Sequence, residues 1–180
     1  MKFTQVFGIA ALLASAASAL PLVRSTNSTS SSSTGGGVTI NNNMDQTIYL
    51  WSVSDDFNAP MVTVPKGQSY SENWRINPNG GGISIKMATT PSQADVLQFE
   101  YTLANPTIFW DLSCINMGTN SLFTKVGFAV TSNNPQCESA TCAPGDTACA
   151  DAYLVPDDNQ ATRGCDADTH LTLNIGSSSS

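Results

Sequence analysis

Residues 96–113 read VLQFEYTLANPTIFWDLS. Two runs, Val96–Leu103 and Thr107–Ser113, show alternation of apolar with polar side chains or enrichment in aromatic and β-branched residues, the pattern of strands. Between them, Ala104-Asn105-Pro106 supplies a turn, since proline sets φ and withholds the N–H that a continuing strand would use. The two runs are therefore expected to be consecutive strands. Period-2 spacing then lets Glu100 and Asp111 face one another on a shared sheet face.

The same signature recurs on both sides. VTI at 38–40, TIYLWSV at 47–53, MVTV at 61–64, GISIKM at 82–87, KVGFAV at 125–130 and HLTLNI at 170–175 are further short β-type runs. Turn-forming stretches such as PKGQ, NPNGGG, TTPSQ, SNNPQ and APGD separate them. Helical periodicity is not sustained, and a single helix around Thr147–Leu154 is the one candidate. The expected architecture is an antiparallel β-sandwich or barrel with a cysteine-rich excursion near the C-terminal end.

Length and charge bound the function. The 180 residues leave room for one domain. With 7 Lys and Arg against 14 Asp and Glu, the chain lacks the clustered cations that nucleic acid or an anionic membrane requires. Neutral or cationic ligands remain. Residues 1–19 read as a signal peptide: Lys2 is the positive n-region, Val6–Ala16 an apolar run too short to span a bilayer, and Ala17-Ser18-Ala19 a small-residue cleavage site. Residues 20–37, rich in Ser, Thr and Gly, read as a linker or arm. Asn27-Ser28-Thr29 is a glycosylation sequon, whereas Asn105-Pro106-Thr107 is blocked by its proline. The domain is expected over 38–176, with a Ser tail at 177–180 and no membrane anchor.

Four of the five cysteines, Cys137, Cys142, Cys149 and Cys165, fall close together. In an oxidising compartment they are expected to form two disulfides that staple a loop poor in apolar residues. Spacing leaves the pairing open; a nested arrangement, Cys142–Cys149 inside Cys137–Cys165, is the working choice, with Cys114 a free thiol. The absence of CxxC spacing argues against zinc, and neither a metal nor a cofactor is expected. His170, the one histidine, belongs to no nucleophile motif.

Together, TIYLWSV, PKGQSYSENWRINPNGGGISIKM, LQFEYTLANPTIFWDLS, CAPGDTACADAYLVPDD and the final Cys165 with HLTLNI resemble the small secreted fungal thaumatin-like proteins, the group typified by the Blastomyces yeast-phase-specific protein. The resemblance runs from about Val38 to Ile175 and implies an all-β, thaumatin-like antiparallel sandwich. It departs where the group carries cysteines in its first and last strands: this chain has Asn43-Met44 and Asn174-Ile175-Gly176. Losing both partners together spares the protein a lone thiol, at a stability cost unless strand pairing compensates.

Members of the wider family with antifungal or glucanase activity have an acidic cleft of one arginine, one glutamate and three aspartates. By motif, Glu100 matches the glutamate, Asp111 the first aspartate, and Asp157 or Asp158 the last. Asn116 stands in place of the second aspartate and Gly82 in place of the arginine, with Lys86 the nearest cation. The resemblance thus implies a groove of Glu100, Asp111, Asp157, Asp158 and Lys86. Asp157-Asp158 after Pro156 equally suits a simple turn. Tyr101, Phe109 and Trp110 lie near the groove, and Trp51 and Trp74 read as core. Glycoside hydrolysis needs one protonated and one ionised carboxyl; Glu100 and Asp111 are the candidate catalytic pair, weakened by Asn116 and the missing arginine. The expectation is a monomeric, wall- or surface-associated protein that binds β-glucan without efficient catalysis. A weak endo-β-1,3-glucanase and a surface antigen or adhesin that contacts host or cell-surface protein are the alternatives.

Overall fold

The computed structural model describes residues 35–55, 57–157 and 160–176. The signal peptide, Asn27, most of the linker and the Ser tail read from the sequence lie outside them. The chain forms β1 (Gly37–Asn42), β2 (Ile48–Val53), β3 (Val62–Val64), β4 (Ser69–Asn73), β5 (Ile83–Ala88), β6 (Leu97–Ala104), β7 (Thr107–Ser113), α1 (Leu122–Val126), β8 (Phe128–Ser132), β9 (Ala140–Cys142), β10 (Arg163–Asp166) and β11 (His170–Ile175). A five-stranded sheet has the order β4-β1-β11-β8-β9, and a six-stranded sheet the order β10-β7-β6-β5-β2-β3. The all-β sandwich expected from the sequence is the architecture found.

Alternation explains the layering. In β1 and β11, Val38, Ile40, Leu171, Leu173 and Ile175 are buried while Thr39, Asn41, Thr172 and Asn174 face outward half-exposed. In β6 and β7, Leu97, Phe99, Tyr101, Ile108, Trp110 and Leu112 enter the core. Phe99 stacks on Trp110 with ring centroids 5.9 Å apart, and Trp74 closes the aromatic cluster over Tyr101 at 4.8 Å. Each such fully buried side chain contributes about 1.5–3 kcal/mol.

One pairing departs from the antiparallel expectation. β1 and β11 run parallel, Thr39 opposite Thr172 and Asn41 opposite Asn174. This pairing ties the first strand to the last without a covalent link: Asn41 Nδ2 donates to Asn174 Oδ1 at 2.8 Å and Asn43 N to Ile175 O at 2.9 Å. Gly176 packs there against the Asn43–Met44 peptide.

Contacts with the sheet begin just before Val38. A Cβ on Gly36 would fall 2.0 Å from Ala167 O and 2.5 Å from the Trp74 ring, so only glycine permits this approach. Gly37 already pairs in the sheet.

Thr147–Leu154 is not helical; it runs as turns with an isolated bridge at Tyr153. The Cys142–Cys149 disulfide closes a short loop there, and Tyr153 N donates to Leu112 O while Cys114 N donates to Tyr153 O, both at 2.8 Å. These bonds extend the chain along β7. Among the described residues the helix is α1, which overlaps only the first two residues of the strand suggested at 125–130. Ser121 caps it by accepting from Phe123 N, and Gly127 ends it at φ 73°, donating to Phe123 O.

The disulfides are the nested pair, Cys137–Cys165 and Cys142–Cys149, and Cys114 is free. Burial pushes the Cys114 thiol up to about 11, which keeps it protonated and a poor nucleophile near neutrality.

Candidate functional site

The outward face of the six-stranded sheet is the floor of a cleft of about 570 Å³. Strand register sets its chemistry. One row across the sheet runs Val53, Ser84, Glu100, Asp111, each residue directly opposite the next. The neighbouring row runs Trp51, Lys86, Gln98, Ser113. Glu100, Asp111 and Lys86 all line the cleft, so the alternation of β5, β6 and β7 brings together three of the residues singled out in the sequence.

Asp157 is exposed in a turn and is not among the residues that line the cleft; Asp158 lies outside the described residues. Asn116 stands beside the cleft floor, where its Oδ1 accepts from Gln98 Nε2 at 3.3 Å. Gln98 also donates to Ser113 Oγ at 3.2 Å and accepts from Ser84 Oγ at 3.3 Å. The amide is thereby held by three partners. Gly82 lines the cleft wall, and a Cβ there would approach Thr102 Oγ1 to 3.2 Å.

Aromatic placement follows the pleat. Tyr101 and Trp110 belong to the core, whereas Phe109 points outward into the cleft and is 43% exposed. Trp51 differs from its reading as core: it is half-buried on the outward face, opposite Lys86. Trp74 packs against the core edge.

Several contributors carry no sequence signal. Asp55 reaches the cleft from the loop after β2 and accepts from Asn77 Nδ2 at 3.4 Å. That wall is braced by Arg75, which donates to Ser52 Oγ at 2.9 Å and to Ser54 Oγ at 3.5 Å and lies over the Phe57 ring at 5.1 Å. Arg75 is in turn held by Glu72 at 3.4 Å, whose carboxylate accepts from Tyr70 and Tyr101. Ser84, Gln98 and Thr102, by contrast, share the period-2 face of Glu100 and Asp111, so alternation alone could have found them.

Asp111 is the electrostatic centre. Burial first, and the neighbouring Glu100 charge second, raise its pKa to about 7, against a smaller opposing pull from Arg163. Its Oδ1 is buried with no hydrogen-bond partner. A carboxyl so placed favours a ligand hydroxyl that can donate to it. Arg163, on β10, packs over the Trp110 ring at 5.3 Å and donates from Nη2 to Asp151 Oδ1 at 2.6 Å; it supplies positive charge near Asp111.

Residues 25–177 match the family described as Blastomyces yeast-phase-specific protein. The secreted thaumatin-like protein calA of Emericella nidulans is 46% identical over 176 residues, covering 98% of each chain. The antigenic thaumatin-like protein of Arthroderma benhamiae is 39% identical over 138 residues, covering 77% of this chain and 69% of the relative. Among solved structures, the protein elicitor MoHrip2 from Magnaporthe oryzae superimposes with a TM-score of 0.65 at 21% identity, covering 79% of this chain and all of that one. The thaumatin-like xylanase inhibitor TLXI gives 0.51 at 11% identity, covering 77% and 97%. The strand pairing, the nested disulfides and these similarities lead to one conclusion: the chain is a secreted thaumatin-like protein and belongs to the Blastomyces yeast-phase-specific protein family.

Proposed function

We propose that this protein binds a neutral β-linked polysaccharide, β-1,3-glucan in the first place, in the cleft on its six-stranded sheet, without efficient hydrolysis. The reading places it at the cell wall or cell surface. The observation that carries it is the in-register pair Glu100 and Asp111 beside outward-facing Phe109. Carboxylates accept from sugar hydroxyls, an exposed ring offers an apolar face to the sugar, and Ser84, Gln98 and Thr102 add groups that both donate and accept.

Geometry argues against strong catalysis. A glycosidase needs its acid and its base or nucleophile on either side of the scissile bond. Glu100 and Asp111 project from neighbouring strands in one direction, so both meet a bound sugar from the same side. Weak hydrolysis is the second reading, favoured by the raised pKa of Asp111 next to Glu100, a pattern that can divide two carboxyls into acid and base. The name of the antigenic Arthroderma relative supports a third use, in which the exposed surface contacts host protein.

Retention of wild type and Glu100→Gln on insoluble β-1,3-glucan, beside a reducing-sugar assay, tests the proposal. Removing one charged acceptor should weaken retention about tenfold or more, with no reducing ends released by either protein. Reducing ends that form with wild type and vanish in Glu100→Gln would establish the hydrolase instead. Equal retention of the two proteins would defeat the cleft assignment.

A further inference from the structure

A second cavity, of about 330 Å³, shares no lining residue with the cleft. It opens where three pieces of chain meet: the segment 114–119 that follows β7, α1 with the first residue of β8, and the loop closed by Cys142–Cys149. Ile115, Met117, Phe128 and Leu154 give it an apolar lining, which Cys114 and Cys149 extend. Phe128 belongs to the core whereas Leu154 is exposed, so the cavity reaches from the core to the surface. Val155, beside Leu154, is exposed as well, and the mouth therefore carries apolar side chains that the fold leaves in water.

The walls are already fixed. Met117 N donates to Cys114 O at 2.9 Å, Gly118 N to Asp95 Oδ1 at 2.9 Å, Gly145 N to Thr124 O at 2.7 Å and Cys114 N to Tyr153 O at 2.8 Å. A cavity held in this way needs little ordering when a ligand enters. Its charge is of one sign. Among the described residues, Asp146 is the only charged one that lines it. Asp146 Oδ1 accepts from Ala148 N at 2.9 Å, which positions the carboxylate and leaves Oδ2 open. Asp95 adds a second carboxylate behind Gly118. Lys125, the neighbour of Thr124, is exposed and does not line the cavity.

We propose that this cavity binds a small arylalkyl amine, its apolar body among Met117, Phe128 and Leu154 and its ammonium group on Asp146. Enclosed apolar walls with one placed polar group are the usual make-up of a small-molecule site. A methionine sulfur beside a phenylalanine suits an aromatic body, and the carboxylates at the mouth complement a positive charge. An acid of the same shape would meet Asp146 and Asp95 with like charge. A sugar would set its hydroxyls against apolar walls without partners. The inference does not rest on the glucan reading of the cleft.

Three probes of one shape test it: 3-phenylpropylamine, 3-phenyl-1-propanol and 3-phenylpropanoate, each titrated into the isotopically labelled protein and followed by amide chemical shifts. The amine should saturate with a Kd of roughly 1 mM or below and shift Cys114, Met117, Phe128 and Ala148 most. The alcohol should bind about threefold more weakly, as expected for loss of one exposed ion pair, and the acid more weakly still. Asp146→Asn keeps an acceptor for Ala148 N and should bring the amine to the affinity of the alcohol. Leu154→Ser should weaken amine and alcohol alike, about fivefold. Both side chains are exposed, so the variants should fold, and the comparison of probes on wild type needs neither. Equal affinities for the three probes would overturn the proposal, as would shifts that never saturate or that gather on Glu100 and Asp111. Unchanged amine affinity in Asp146→Asn or in Leu154→Ser would overturn it too.

Discussion

Arg163→Met should lower the free energy of unfolding by about 3 kcal/mol and the melting temperature by about 10 °C. The Arg163 side chain is only 9% exposed. Its guanidinium donates to Ser139 O at 3.1 Å, Ala161 O at 2.7 Å and Asp151 O at 3.4 Å, as well as to the Asp151 carboxylate. Asp151 is 40% exposed, so solvent weakens the ionic part, and most of the loss comes from carbonyls left without their donor. Those carbonyls belong to the excursion that Cys137–Cys165 also closes. Lysine at 163 should recover less than half of the loss, because it lacks the planar fork that serves several acceptors at once. Chemical denaturation of the three proteins measures the effect, and a change in Arg163→Met below about 1 kcal/mol, the range of ordinary surface substitutions, would show that the disulfide alone holds the loop.

Asp111→Asn should stabilise the protein at pH 8 by about 2 kcal/mol while weakening glucan binding. The folded-state pKa of Asp111, about 7, stands above the ordinary carboxyl value of 3.8. The folded protein therefore holds this proton more tightly than the unfolded chain. Its contribution is fully present below about pH 4, declines as pH rises, and is lost above about pH 7. A shift of this size corresponds to a ceiling on the order of 4 kcal/mol, of which the asparagine recovers part, since its own amide must still find partners in the same half-buried place. Thermal unfolding across pH 4–8 should show a falling wild-type contribution in that window and a flatter profile for Asp111→Asn. Parallel profiles would mean that Asp111 titrates as an ordinary surface carboxyl.

Legibility in the sequence followed the length and contrast of each segment. β6 and β7 could be read because Phe99 and Tyr101 alternate with polar residues and Thr107–Ser113 is rich in aromatic and β-branched side chains, and their turn fixed the neighbourhood of Glu100 and Asp111. β4, SYSEN, has no apolar alternation to detect; it is an edge strand recognised only through its pairing with β1. β9 and β10 span three and four residues and contain Cys142 and Cys165, so the disulfides fix positions that propensity does not. The parallel meeting of β1 with β11 joins the two ends of the domain, and local pattern carries no information about such distant partners. At the cleft, residues on strands obeyed period 2, whereas Asp55 and its brace Arg75 come from loops whose course depends on the bonds made to Ser52, Ser54 and Asn77.

The most direct measurement of the central claim is a titration of the isotopically labelled protein with laminarihexaose, followed by amide chemical shifts. Binding in the cleft predicts that the largest shifts fall on Ser84, Lys86, Gln98, Glu100, Phe109 and Asp111, on the outward side of the six-stranded sheet, and that they collapse in Glu100→Gln. Shifts concentrated elsewhere on the surface, or no shifts at millimolar sugar, would contradict it.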